Sequence, residues 1–142
     1  MPARTASARW AGSLRDGAGT MRLGSGAYEG QYSFSSRFEE GTGTNPEELI
    51  GAAHAGCFSM ALSLILEQAG FVPTSVETTA TVHLERADSG FEISRVVLDC
   101  TATVPGLADA AFQALAITAK AGCAVSKALA GVEIELDARL AG

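Results

Sequence analysis

The chain has 142 residues, of which 47% are apolar and only 18% charged; this is the size of one domain, expected over residues 1–142, with a surface so thinly charged that it should continue into a second copy. Ten Lys and Arg against sixteen Asp and Glu give a formal net charge of -6, which repels a phosphate backbone and argues against nucleic-acid binding. Three cysteines without CxxC spacing exclude a secreted disulfide framework and leave redox chemistry open.

At the amino end, Met1 to Gly12 carries two arginines with no apolar segment behind them, so no secretory signal is visible and a cytoplasmic location is expected. The Gly-rich patches Gly12 to Gly30 and Gly41 to Gly43 read as hairpin turns and a loop. A helix is predicted from Pro46 to about Ala69, with Asn45 as N-cap, Pro46 at N1, Glu48 at N3 and Gly70 as the stop. Ala52, Ala53, Ala55, Phe58, Met60, Leu62, Leu64 and Ile65 surround it, so it should be buried on most sides. Its uncharged stretch, Gly51 to Leu66, is 16 residues, short of the about 18 that suggest a membrane span, and no membrane partner is expected.

Residues 76–86 alternate, with Val76, Thr78, Ala80, Val82 and Leu84 on one face, and predict a half-buried strand. After an Asp88-Ser89-Gly90 turn, Val96, Leu98, Cys100, Ala102 and Val104 share one face of the next strand. A second helix should run from about Leu107 to Lys120. Ala121-Gly122 then breaks the pattern, and Cys123 opens a short helical piece that ends at Leu129. Val132, Ile134, Leu136, Ala138 and Leu140 mark a last strand. Three one-faced strands covered by two helices make an α+β fold.

Cys100 is in phase with the apolar face of its strand and reads as core. Cys57, mid-helix, reads by itself as a small buried hydrophobe. Cys123 differs: it follows a glycine break at the start of a helical turn, where unpaired N–H groups favour a thiolate. His54 lies three residues before Cys57 and could join both cysteines at a metal, but three ligands do not complete a zinc site. No GxSxG, P-loop or strand-linked GxGxxG is present.

The run Asn45-Pro46-Glu47-Glu48-Leu49-Ile50-Gly51-Ala52-Ala53-His54-Ala55-Gly56-Cys57-Phe58-Ser59-Met60-Ala61 resembles the OsmC/Ohr family of thiol peroxidases. Phe34 to Glu39, Gly70 to Ser75, Val104-Pro105-Gly106 and Ala121 to Lys127 agree with it in order and spacing. The resemblance implies antiparallel sheets wrapped around two central helices in an intertwined homodimer. It implies reduction of organic hydroperoxides, with Cys57 as the peroxidatic cysteine, Cys123 as the resolving one, and Arg37 and Glu47 as the charged pair that organises the attack. It implies no cofactor, and an external dithiol, either a lipoyl-bearing protein or a small molecule, as reductant. Ala124 departs from the proline that often follows the second cysteine, and Gly56 stands where alanine is common. His54 ahead of Ala55-Gly56-Cys57 is similar to the OsmC branch.

Cleaving an O–O bond with a thiolate requires a cation to stabilise both the sulfur and the departing alkoxide. Arg37 would supply it and Glu47 would fix its planar fork; taken singly, Arg37 could equally pair with Glu39 or Glu40 on the surface. Glu47 and Cys57 are ten residues apart, roughly 15 Å along a straight helix. Sharing one arginine would therefore need either a dimer interface or a bend near Gly51. Phe58, Met60, Ala61 and Phe38 should line an apolar site that favours bulky peroxides over hydrogen peroxide. The alternative function is a non-catalytic binding protein for a hydrophobic ligand in the dimer pocket, with inert thiols.

Overall fold

The computed structural model describes residues 1–141, which divide into two compact units, the first Met1–Leu49 and the second beginning at Ile50. In the first unit, β1 (Ala6–Ala11), β2 (Ala18–Leu23) and β3 (Glu29–Tyr32) form an antiparallel meander in that order. A five-residue helix, α1 (Phe34–Phe38), follows it. No helix was expected there, because one turn is too short to show a helical period. A parallel bridge between Tyr32 and Thr44 brings the chain back beside β3. Gly43 makes that return possible: its φ is +119°, and a Cβ there would lie 2.6 Å from the Gln31 carbonyl oxygen.

The long helix α2 (Pro46–Gln68) begins in this unit and runs without interruption into the second. Asn45 caps it as expected, its Oδ1 accepting from the Glu48 N–H at 2.8 Å. At the far end Gly70 takes φ +93° and the Phe71 N–H closes onto the Leu66 carbonyl at 2.9 Å.

In the second unit β4 (Ser75–Ala87) and β5 (Gly90–Thr103) form a long antiparallel hairpin with an irregularity at His83/Leu84. Helices α3 (Asp109–Gly122) and α4 (Ala124–Ala128) then cross to β6 (Glu133–Leu140). Here the expected all-antiparallel arrangement is corrected: β6 pairs with β5 in parallel, from Arg95 opposite Glu133 to Ala102 opposite Leu140. The two helices return the chain to the end of the sheet where β5 began, so β6 must run the same way.

The core of this unit joins Phe58, Leu62 and Leu66 of α2 to Val96, Leu98, Cys100 and Ala102 of β5 and to Phe112, Ala116 and Ala119 of α3, all fully buried. The expected burial of α2 on most sides is not met within one chain. Gly51, His54, Phe58, Leu62 and Leu66 form one buried stripe, while Met60 and Leu64 are 77% and 54% exposed. With 23 residues and a mean hydropathy of 1.8 over an 18-residue window, α2 would be long and apolar enough to cross a bilayer, but its stripe is packed in the manner of a core helix.

Truncating Phe58 removes the largest α2 contact with this core. Phe58→Ala is expected to lower the unfolding free energy by about 3–5 kcal/mol, read from urea denaturation.

Candidate active site

In the first unit, serine chemistry sets α1 in place. Ser33 Oγ accepts from the Ser36 N–H at 3.1 Å, and Ser36 Oγ accepts from the Ser33 N–H at 2.8 Å, a reciprocal cap on one helical turn. The buried Ser36 hydroxyl also donates to the Thr44 carbonyl at 2.7 Å, and Asn45 Nδ2 donates to the Ser36 carbonyl at 3.0 Å. Asn45 therefore grips α1 with its amide nitrogen while its oxygen caps α2. This network brings Arg37 of α1 to Glu47 in the first turn of α2.

The pair is side-on: Arg37 Nε and Nη2 donate to the two Glu47 oxygens at 3.0 and 3.1 Å. Glu47 is 7% exposed. Two charge-assisted bonds to a buried carboxylate fix the guanidinium plane far better than an exposed single contact would. Arg37 thus pairs with Glu47 of its own chain rather than with Glu39 or Glu40. Its guanidinium carbon lies 5.1 Å from the centre of the Phe38 ring. It also edges a cavity of about 230 Å³ lined by Trp10, Leu14, Tyr32, Phe34 and Phe38. Of the expected apolar lining, Phe38 is found here. Phe58 instead belongs to the core of the second unit, and Met60 is exposed.

In the second unit, Cys57 on α2 and Cys123 between α3 and α4 are both free thiols, close enough for each to shift the other's ionisation. Cys123 is placed from both sides. Its φ of -59° and ψ of 127° end α3, its N–H donates to the Ala119 carbonyl at 2.9 Å, and its carbonyl accepts from the Lys127 N–H at 3.0 Å. One residue thereby terminates α3 and opens α4. Cys123 is 1% exposed and Cys57 half-buried. Cys100 sits in the core at 0% exposure, as its strand phase implied.

Burial pushes the Cys57 thiol up, and the neighbouring Cys123 adds to that; the Val125 and Ala124 N–H groups act in the other direction. Burial also opposes ionisation of Cys123, but the Cys57 thiol, the Ser126 N–H and hydroxyl and the Val125 N–H outweigh it, so its pKa falls. These groups act on the sulfur without closing an ordinary helix cap. The two sulfurs titrate as an interacting pair, with Cys57 pushed up and Cys123 pushed down. Cys57 needs a cation to reverse that order.

His54 and Ser126 escaped the sequence reading as a pair. His54 is 0% exposed and its Nε2 lies 2.8 Å from Ser126 Oγ. Burial pushes the imidazole pKa down, keeping it neutral. The available signal was spacing: His54 precedes Cys57 by three residues and Ser126 follows Cys123 by three, so each lies one helical turn from a sulfur. Among the described residues no group of three His, Cys, Asp or Glu is placed to hold a metal ion.

Residues 39–137 match the family model described as OsmC-like protein. The chain is 52% identical over 134 residues to the peroxiredoxin OsmC of Escherichia coli, covering 94% of this chain and 93% of that one. It is 32% identical over 100 residues to the organic hydroperoxide resistance protein-like 2 of Staphylococcus epidermidis, covering 68% of each. The crystal structure of the organic hydroperoxide resistance protein OhrB of Bacillus subtilis superposes with a TM-score of 0.75 at 27% identity, covering 95% of this chain and 98% of that one.

The ionisation order can be read from thiolate ultraviolet absorbance during a pH titration. Cys123→Ala removes a hydrogen-bond acceptor and a negative charge from Cys57, so Cys57 should titrate at lower pH than the second step of the wild-type pair. Cys57→Ala removes a donor from Cys123, which should then titrate at higher pH than the first step.

Proposed function

The chain belongs to the OsmC-like protein family, and from that membership we propose that it is a thiol-dependent peroxidase that reduces organic hydroperoxides to alcohols in the cytoplasm. The observation that carries this reading is the mutual influence of two free thiols, Cys57 and Cys123, which lie far apart in sequence. The names of the relatives, a peroxiredoxin and organic hydroperoxide resistance proteins, support the same chemistry.

In this mechanism the Cys57 thiolate attacks one peroxide oxygen, the O–O bond breaks, and the other oxygen leaves as an alkoxide that takes up a proton. Cys57 becomes a sulfenic acid. Cys123 then attacks that sulfur; the S–S bond forms, the S–O bond breaks, and hydroxide leaves with the Cys123 proton as water. An external dithiol, supplied by a lipoyl protein or a small molecule, reduces the disulfide by two thiol exchanges.

The second unit by itself holds Cys57 protonated, so attack depends on a cation. Arg37, held in one plane by Glu47, is the residue we assign to that task, stabilising first the thiolate and then the alkoxide. We further propose that the working arrangement is completed in a homodimer. The exposed Met60 and Leu64 of α2 and Ile117 of α3 support a second copy, since a thinly charged surface with large exposed apolar groups favours association. The aromatic cavity beside Arg37 supports a preference for bulky apolar peroxides.

Reduced protein treated with stoichiometric cumene hydroperoxide should lose the Cys57 and Cys123 thiols together and turn over when a dithiol is supplied. Cys57→Ser should abolish turnover; unchanged turnover in that variant would end the peroxidase reading. Arg37→Lys keeps the charge but loses the two-pronged grip on Glu47, and kcat/KM for cumene hydroperoxide should fall on the order of a hundredfold. Size-exclusion chromatography with light scattering should give twice the mass of one chain, and hydrogen peroxide should be the poorer substrate.

A further inference from the structure

The most deeply buried polar side chain near the sulfurs has no part in the chemistry above. His54 is 0% exposed, its Nε2 lies 2.8 Å from Ser126 Oγ, and its Nδ1 is buried with no hydrogen-bond partner. Ser126 is 6% exposed, lies one helical turn after Cys123, and its hydroxyl favours ionisation of the Cys123 sulfur. Within the second unit influence passes between Cys57, Cys123, Ser126 and His54 in that order, and His54 stands three residues before Cys57 on α2.

The orphan nitrogen decides the direction of this relay. A neutral imidazole carries one hydrogen. On Nδ1 it would be a buried donor with nothing to receive it, the costlier kind of unsatisfied group; on Nε2 it leaves only a lone pair unused. The hydrogen therefore sits on Nε2 and is given to Ser126 Oγ. That oxygen, already accepting from the imidazole, turns its own hydrogen toward Cys123. Because burial keeps the ring neutral, it serves as a fixed donor rather than a cation.

We propose that His54 and Ser126 are positioning residues for the second sulfur, holding a hydroxyl against Cys123 so that closure of the disulfide outruns further oxidation of Cys57. This rests on the peroxidase reading. The sulfenic acid has two fates: attack by the Cys123 thiolate, releasing hydroxide, or reaction with a second hydroperoxide, which transfers an oxygen to the sulfur, forms the sulfinic acid and releases an alcohol. A hydroxyl that stabilises and aims the Cys123 thiolate accelerates only the first.

The test separates the steps by stopped-flow and mass spectrometry on the full chain with excess cumene hydroperoxide. Ser126→Ala should slow disulfide closure about tenfold more than it slows sulfenic acid formation, the equivalent of one pKa unit at Cys123, and Cys57 sulfinic acid should accumulate. Ser126→Thr, which keeps the hydroxyl, should restore the ratio. His54→Gln, which keeps a side-chain N–H, should stay near wild type. Imidazole nitrogen NMR shifts of the wild-type protein should report the hydrogen on Nε2. Unchanged partition between disulfide and sulfinic acid in Ser126→Ala, or a hydrogen on Nδ1, would overturn the inference while leaving the peroxidase reading intact. A wild-type protein that never forms sulfenic acid at Cys57 would remove both.

Discussion

The rotational setting of α2 governs everything in the second unit. Gly51, His54, Phe58, Leu62 and Leu66 recur at intervals of three or four and form one buried stripe. Turning the helix by a single position would expose Phe58 and swing Cys57 away from Cys123. Two contacts beside the stripe hold the setting. A Cβ on Gly51 would stand 3.3 Å from Val82 Cγ2, so the helix lies close against β4; further along, Ser59 Oγ and Thr78 Oγ1 are 2.7 Å apart. Packing that looks purely structural is what delivers a half-buried thiol to a fully buried one.

The first unit solves a different problem, which is to hold a charged group still. Arg37 has long rotamer freedom, and the Ser33, Ser36, Thr44 and Asn45 hydrogen bonds remove none of it directly. They fix the backbone on which Arg37 and Glu47 stand, and the two-pronged ion pair does the rest. The first unit thus presents an oriented cation, and the second a pair of free thiols whose pKa values are driven apart.

Much of this was legible in the residues because periodicity reports burial. The stops at Asn45 and Gly70 located α2 to within a residue, and alternation found β4, β5 and β6. Alternation carries no information on strand direction, so the parallel pairing of β6 went unseen. The helix α1 was missed because its cap is serine to serine, with no acidic residue at N3 to mark it. Cys57, Cys123, Arg37 and Glu47 were singled out through a motif, and the hydrogen bonding of Arg37 to Glu47 adds what the motif could not, namely that these two pair within one chain. His54 and Ser126 are 72 residues apart, and no local pattern links them. The charge balance between the two sulfurs depends on neighbouring N–H groups and burial, which exist only once the chain has folded.

The parallel seating of β6 has a consequence for how the molecule is made. During synthesis β4 and β5 can zip together as soon as they leave the ribosome, because a hairpin is a local contact. The third strand cannot dock until the whole helical crossover has been translated and its loop closed, a step of high contact order. Cys123 lies inside that crossover, so its sulfur reaches its seat only when this distant segment has folded back. A nascent chain stalled before β6 would carry a finished hairpin while the core cluster that holds both Cys123 and Ala138 was still incomplete.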